Sequence, residues 1–164
     1  MFNKLLNLVQ NKTQFVYNNS LIVQNIDKFI YLSILGVFVT STVMTSEYIG
    51  LIALATTGLT LAKLLFTKGE KLEYSKFEIW LLAYFMIVVI SLAGSTLFAL
   101  SLKGFFKTLT YFGFYVSVAH FFKTNKDKIF PTLITIGLCI SFEGIIGILQ
   151  NFNKVQEIAT WQDV

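Results

Sequence analysis

The sequence predicts an all-α membrane protein with about five transmembrane helices, and three observations support this fold class. Hydrophobic residues make up 55% of the 164 residues and charged residues 13%, with a mean hydropathy of +0.68. The apolar residues form long runs, and most lysines lie between these runs. A soluble domain of this length could not bury so much apolar surface, so the expected partner of the chain is the lipid bilayer.

The apolar runs predict five spans, near residues 29–45, 48–66, 78–99, 105–122 and 130–149. The run from Phe29 to Phe66 is long enough for two spans, and the polar residues Thr45-Ser46-Glu47 divide it. The second span is rich in small residues, as in a closely packed hairpin, and Lys63 is expected to extend from its end to the membrane interface. The charged segment 67–78 is an aqueous loop, whose acids are interpreted as solvated. Ser101-Leu102-Lys103-Gly104 is the predicted turn before the fourth span.

The segments outside the spans predict the orientation of the chain. Residues 1–28 form a cytoplasmic segment, interpreted either as an interfacial helix, with Phe2, Leu5, Leu6 and Val9 on one face, or as a frayed terminus. With this end inside, ten of the thirteen lysines lie in cytoplasmic segments, as the positive-inside rule requires. Residues 150–164 then form an extracytoplasmic tail, which is expected to be truncated because WQDV ends in a polar stretch without a helix cap. The predicted location is the inner (plasma) membrane, crossed several times.

Several kinds of chemistry are excluded or disfavoured by what the chain contains. Its lysines are placed to meet an anionic leaflet, so its basic charge predicts no nucleic-acid partner. The single cysteine, Cys139, lies within a span, and no metal site or other cofactor is predicted. There is no HExxH motif, CxxC pair, phosphate-binding glycine loop or nucleophile elbow, and the lone His120 is interpreted as structural. The chain by itself has no recognisable active site, and whether it belongs to an enzyme stays open.

The candidate functional residues lie in and after the fifth span. Glu143, Gly147 and Gln150 are spaced i, i+4, i+7 and share one helix face. A charged residue at the centre of a membrane helix costs about 3 kcal/mol. Two interpretations stay open: Glu143 lines a polar path, or it is a protonated or hydrogen-bonded residue that holds helices together. Beside Glu143 lies a stripe of small residues, Gly137, Ser141 and Gly144. This stripe, together with Gly147, is expected to pack against another helix and so to bury the fifth span in a bundle.

The region from Phe142 to Trp161 resembles the O-antigen ligase/polymerase superfamily. The resemblance is carried by the spacing of Glu143, Gly147 and Gln150. It is also carried by the ending E-x-A-T-W, here Glu157, Ala159, Thr160 and Trp161, which is particular to the cyanobacterial branch of proposed bicarbonate transporters (IctB type). The resemblance implies that this chain corresponds to the N-terminal part of such a protein. Family members continue through further spans and a large periplasmic loop whose arginines and histidine engage a lipid-linked sugar diphosphate.

Three functions are therefore weighed. The chain is the N-terminal part of an inorganic-carbon (bicarbonate) transporter, part of a lipid-linked polysaccharide ligase or polymerase, or a stand-alone five-span accessory subunit; an inactive remnant is the remaining alternative. The first two imply a C-terminal half as partner, and the third implies another membrane subunit. The resemblance places arginines in the part that transfers glycan, and the chain contains no arginine, so the resemblance implies that this part is missing here. None of the five apolar cores contains a cation, which argues mildly against anion transport by this portion alone.

Overall fold

The computed structural model describes residues 9–11, 13, 20–67, 69–71 and 76–153. Within these ranges all regular structure is helical, which confirms the all-α prediction. We label the five long helices α1 to α5. Their bounds are Ile26–Ser41, Ser46–Phe66, Lys76–Ala93, Phe98–Thr124 and Ile129–Asn153. A one-turn helix, Leu21–Gln24, precedes α1, and a short 3₁₀ helix, Lys126–Lys128, precedes α5.

Helices α1, α2 and α4 form the centre of the bundle, with α3 packed on α4 and α5 packed on α1. The core begins on one face of α1, where Ile26, Ile30 and Ile34 recur every fourth residue and are at most 4% exposed. They cluster with Phe121 of α4, whose ring stacks on Tyr31 at 5.8 Å between centroids. This core lies towards the end of the bundle where α1 begins and α4 ends.

Helices α2 and α4 approach each other closely at Gly113. A Cβ atom at this position would lie 2.8 Å from the Thr57 Cγ2 atom, so only glycine fits. One turn further along α4, Ser117 is 2% exposed. Gly113 and Ser117 therefore form a small-xxx-small contact with α2, which is the way helices pack where backbones come near. The small residues of α2 were expected to serve such packing. Of these, Ala53 is fully buried, whereas Gly50 and Gly58 have no neighbour within 4 Å of a Cβ position.

Three predictions about local structure differ from the observed fold or lie outside it. The turn before α4 lies at residues 94–97, and Ser101 to Gly104 are helical instead. The earlier turn forms because the Ser95 hydroxyl accepts the Leu97 N–H at 3.3 Å and bonds the Ser101 hydroxyl at 2.5 Å. Of the predicted N-terminal helical face, Phe2, Leu5 and Leu6 lie outside the described residues, as does all of the tail after Asn153.

Two helices are long and apolar enough to cross a membrane, namely Ser46–Phe66 and the stretch Lys126–Leu149. The shorter Phe77–Ala93 is also apolar. Only 6% of the most apolar part of the Lys126–Leu149 stretch is buried. The expected burial of the fifth span is thus not observed: α5 packs mainly on α1, around Thr132, and its later turns are exposed.

Candidate functional site

Charged and titratable side chains gather where α1 begins and where α2 and α4 end; Lys63 and His120 are buried, Glu70 is partly buried, and the Asp27 side chain is 52% exposed. Asp27 lies in the first turn of α1, Lys63 in the last turn of α2, and His120 one turn before the end of α4. Glu70 belongs to the segment between α2 and α3. These four residues, which we call the charge cluster, are brought together because antiparallel neighbours place one helix's start beside the other's end.

Lys63 links two of these elements through its ammonium group. Its Nζ atom lies 2.8 Å from Asp27 Oδ1 and 2.9 Å from Glu70 Oε1, while its side chain is only 8% exposed. Burying a lysine without partners would be costly, so the two carboxylates compensate for the water that it has lost. The sequence analysis expected Lys63 to extend to the membrane interface and did not predict these two carboxylate partners.

Glu70 accepts hydrogen bonds from both Lys63 and His120 on the same oxygen. The His120 Nε2 atom lies 3.2 Å from Glu70 Oε1. The hydrogen bond from His120 and the charge of Lys63 lower the pKa of Glu70 from 4.5 to about 2, against the opposing effect of burial. Because the ionised carboxylate can only accept, Nε2 carries the proton in this contact. The sequence analysis interpreted Glu70 as a solvated loop acid. This interpretation is wrong, because its side chain is only 18% exposed and is bound by Lys63 and His120.

The segment that carries Glu70 is fastened by Gln10, which is 1% exposed. Its amide donates to the Leu64 carbonyl at 2.7 Å and the Glu70 carbonyl at 3.0 Å, and its oxygen accepts the Gly69 N–H at 3.2 Å. The Leu64 carbonyl is one of the last four of α2, which have no partner within the helix. Gly69 adopts a φ of +86°, which glycine reaches without strain. Gln10 thus caps α2 and holds the loop at Gly69 and Glu70.

A second ion pair joins α3 to α4 at the same end of the bundle. Lys123 Nζ lies 3.1 Å and 3.3 Å from the two carboxylate oxygens of Glu78, whose side chain is 8% exposed. With the charge cluster, this pair ties the first four long helices together at one end. Two loop or helix-start acids, Glu70 and Glu78, therefore hold the bundle together instead of facing solvent.

The charge cluster can hold helices together through ion pairs and hydrogen bonds, but it lacks the contacts that catalysis would need. Ser117 lies one turn before His120, but its hydroxyl donates to the Gly113 carbonyl at 2.8 Å and is not bonded to the imidazole. The arrangement therefore lacks the nucleophile–base contact of covalent catalysis. Among the described residues, no group of three or more His, Cys, Asp or Glu side chains could hold a metal ion.

The residues singled out in the fifth span are not brought together with the charge cluster. Glu143 is exposed and makes no hydrogen bond or ion pair within the described part of the chain. At Gly137, Gly144 and Gly147, an added Cβ atom would have no neighbouring atom within 4 Å. The Ser141 hydroxyl of the same helix donates to the Gly137 carbonyl at 2.8 Å. The side chain of Gln150 and all of Trp161 lie outside the described residues.

The charge cluster was missed by the sequence analysis, although one signal pointed to it. Lys63 is a cation flanked by apolar residues within the last turn of an apolar helix. Such a residue needs either the interface or a buried acid, and the following loop supplies Glu70 seven residues later. The choice between these two outcomes depends on how α1 and α4 pack, which no local pattern encodes.

No family model matches the chain, and no curated protein or solved structure is significantly similar to it. The resemblance of the segment from Phe142 to Trp161 to the O-antigen ligase superfamily therefore stays a prediction.

Proposed function

We propose that the chain is a multi-pass membrane protein in which all five long helices cross the bilayer, with the N-terminus inside. The observation that carries this proposal is the outward-facing apolar surface. On α3, Trp80 is 76% exposed and Ile90 69%, and on α5, Leu138 is 66% exposed and Ile140 63%. Monomeric soluble proteins rarely expose contiguous apolar surface on this scale, whereas lipid chains cover it at no cost.

The position of the charge cluster supports the same orientation. The charge cluster lies at the end of the bundle where residues 67, 69–71 and 125–128 follow α2 and α4. These residues belong to the lysine-rich segments that were assigned to the cytoplasm. Charged pairs at the ends of the helices avoid the cost that they would meet within the bilayer core. The opposite end, at Thr42–Thr45 and Gly94–Leu97, carries hydroxyl groups instead and belongs outside.

Within the membrane, the chain serves as the N-terminal scaffold of an inorganic-carbon transporter of the O-antigen ligase-like superfamily. This role is supported by the sequence resemblance around Glu143 and by the exposed face of α5, which offers room for a further membrane segment. Glycan transfer from a polyprenyl diphosphate carrier is the alternative for the complete protein. A stand-alone accessory subunit would use the same face to bind a different membrane protein.

Single-cysteine labelling tests the membrane arrangement. In a Cys139→Ser background, Thr96→Cys should react with an impermeant maleimide added to intact cells, because the turn at 94–97 faces outward. Lys71→Cys, in the loop beside the charge cluster, should react only after permeabilisation. Labelling of Lys71→Cys in intact cells, or equal labelling of both, would contradict the proposed orientation.

Glu143→Gln tests the proposed transport role. The amide keeps the size of the side chain and removes its charge, so we expect normal insertion and a loss of bicarbonate uptake in cells that produce the complete protein. Glu47→Gln, an exposed acid at the start of α2, is the matched control. Uptake that is unchanged in Glu143→Gln would remove Glu143 from the site. Unchanged uptake in cells lacking the protein would instead favour glycan transfer or the accessory role.

A further inference from the structure

A groove lies along the N-terminal end of α1, on the side away from the core. It has a volume of about 350 Å³ and is lined by Leu21, Asn25, Lys28, Phe29 and Leu32. Four of these residues follow the spacing i, i+4, i+7, i+11, so they extend along one face. Leu21 is 78% exposed and Leu32 62%. Apart from Asn25 and Lys28, the lining is hydrocarbon, so this groove suits an apolar chain.

Positive charge gathers beside the groove. Lys28 is exposed and forms no ion pair with any described residue. Lys128 Nζ lies 5.9 Å from the centroid of the Tyr31 ring, and Tyr31 is one helical turn after Lys28. The nearby acids are already engaged, Asp27 by Lys63 at 2.8 Å and Asp127 by Lys128 at 3.2 Å. The cation of Lys28 is thus the one charge at the groove that lacks a counterion among the described residues.

We propose that this groove binds an anionic phospholipid of the inner leaflet. One acyl chain lies against Phe29 and Leu32, which follow Lys28 towards the bilayer, and the phosphate is bound by the Lys28 ammonium group. Asn25 donates one amide hydrogen to the Leu21 carbonyl at 3.0 Å, so its second amide hydrogen is available to the head group. The proposal rests on the membrane orientation proposed above, which places the start of α1 at the inner surface.

An anionic lipid fits these features better than a soluble anion does. A soluble phosphate would gain only the contact with Lys28, because the remainder of the groove offers no polar partner. A lipid gains this contact together with the apolar surface of Phe29 and Leu32. A zwitterionic lipid would bring its own cation close to Lys28 and Lys128. Basic sites beside membrane helices on the cytoplasmic side bind anionic head groups for this reason.

Lipid titration of the purified full-length chain in neutral detergent tests the proposal, with thermal unfolding as the readout. Phosphatidylglycerol should raise the melting temperature, while phosphatidylcholine and inorganic phosphate should leave it unchanged. Lys28→Gln should lower the apparent affinity for phosphatidylglycerol about fivefold, as expected for one lysine near an anionic head group, so that about five times more lipid is needed for the same rise in melting temperature. Lys103→Gln is the matched control. Lys103 is also exposed and unpaired among the described residues, but it lies near the start of α4, at the opposite end of the bundle.

The possible outcomes separate this proposal from the proposed function. Equal stabilisation by phosphatidylcholine, stabilisation by phosphate alone, or an equal response of Lys28→Gln and wild type would overturn the lipid site. None of these outcomes alters the cysteine-labelling pattern, which tests the membrane arrangement independently. A reversed labelling pattern would overturn both, because the start of α1 would then face the outer leaflet.

Discussion

At the scale of single residues, the molecule depends on a few buried charges that compensate one another. Lys63 is bound by two carboxylates within 3 Å, and Glu70 cannot be removed without leaving Lys63 with one partner. Removing one member of a buried pair costs more than the pair contributes, since the remaining charge stays desolvated. A substitution at Lys63 or Glu70 is therefore expected to lower the stability of the fold.

Glu70→Gln should destabilise the bundle by about 2 kcal/mol or more, because the amide keeps the shape but loses the charge that compensates Lys63. The melting temperature of the purified protein in detergent would show this loss. Glu47→Gln, which changes an exposed acid, should leave the melting temperature within the error of the measurement. A Glu70→Gln protein as stable as the control would mean that Asp27 alone suffices for Lys63.

Glu70 also gives the stability a defined pH dependence. Its pKa falls from 4.5 to about 2 on folding, so the unfolded chain binds its proton at a higher pH than the folded one. The contribution of Glu70 is fully present above about pH 4.5 and is lost progressively as the pH falls towards 2. Melting temperatures measured across this range should decline in the wild type. The part of the decline due to this carboxyl group should be missing in Glu70→Gln, and parallel curves for the two proteins would contradict the assignment.

At the scale of the helices, the sequence predicted where apolar helices occur better than how they pack. The runs of Leu, Ile, Val and Phe mark the helices because each is long enough for at least four helical turns, and the one proline of the sequence, Pro131, lies in the first turn of α5. The contact between α2 and α4 was not predictable, since Gly113 differs from Gly104 only in facing Thr57. The stripe at Gly137 and Gly144 looked more suitable for packing but is exposed. The turn at 94–97 was misplaced because Lys103 and Gly104 resemble a turn, while the Ser95 bonds to Leu97 and Ser101 that form the real one have no distinctive sequence pattern.

Gly113→Ala should destabilise the protein by about 1–3 kcal/mol, because the added methyl group would lie 2.8 Å from Thr57 Cγ2 and force α2 and α4 apart. Gly104→Ala in the same helix meets no atom within 4 Å and should be neutral or slightly stabilising, as alanine favours helix. Thermal unfolding of the two variants side by side gives the comparison. Equal effects would show that helix propensity, and not the close approach, sets the result.

At the scale of the whole molecule, the fold is a bundle whose one end is clamped by charge and whose sides are apolar. The four helices tied by the charge cluster and the Glu78–Lys123 pair leave α5 attached mainly through α1. The site predicted from Glu143 lies on this less constrained helix. The charge cluster could not be predicted from single residues, because it forms only where the ends of three helices and one loop meet.

The apolar sides predict that the chain stays with the membrane when cells are broken and washed with alkaline carbonate. Peripheral proteins are released by this treatment because it weakens electrostatic contacts, whereas apolar helices in lipid are unaffected. Immunoblotting of pellet and supernatant would measure the distribution. The Glu70→Gln protein serves as a useful companion, since a weakened clamp should not change membrane retention. Release into the supernatant would contradict the five-span arrangement.

In the proposed five-span arrangement, the unequal lengths of α1 and α4 have a mechanical consequence for the surrounding lipid. With 16 and 27 residues, they extend about 24 Å and about 40 Å. A hydrocarbon layer about 30 Å thick matches neither, and the two helices share one core, so neither can tilt alone to correct the mismatch. We expect the bilayer to be compressed beside α1 and stretched beside α4. Such a wedge-shaped boundary would draw the protein towards curved regions of its membrane.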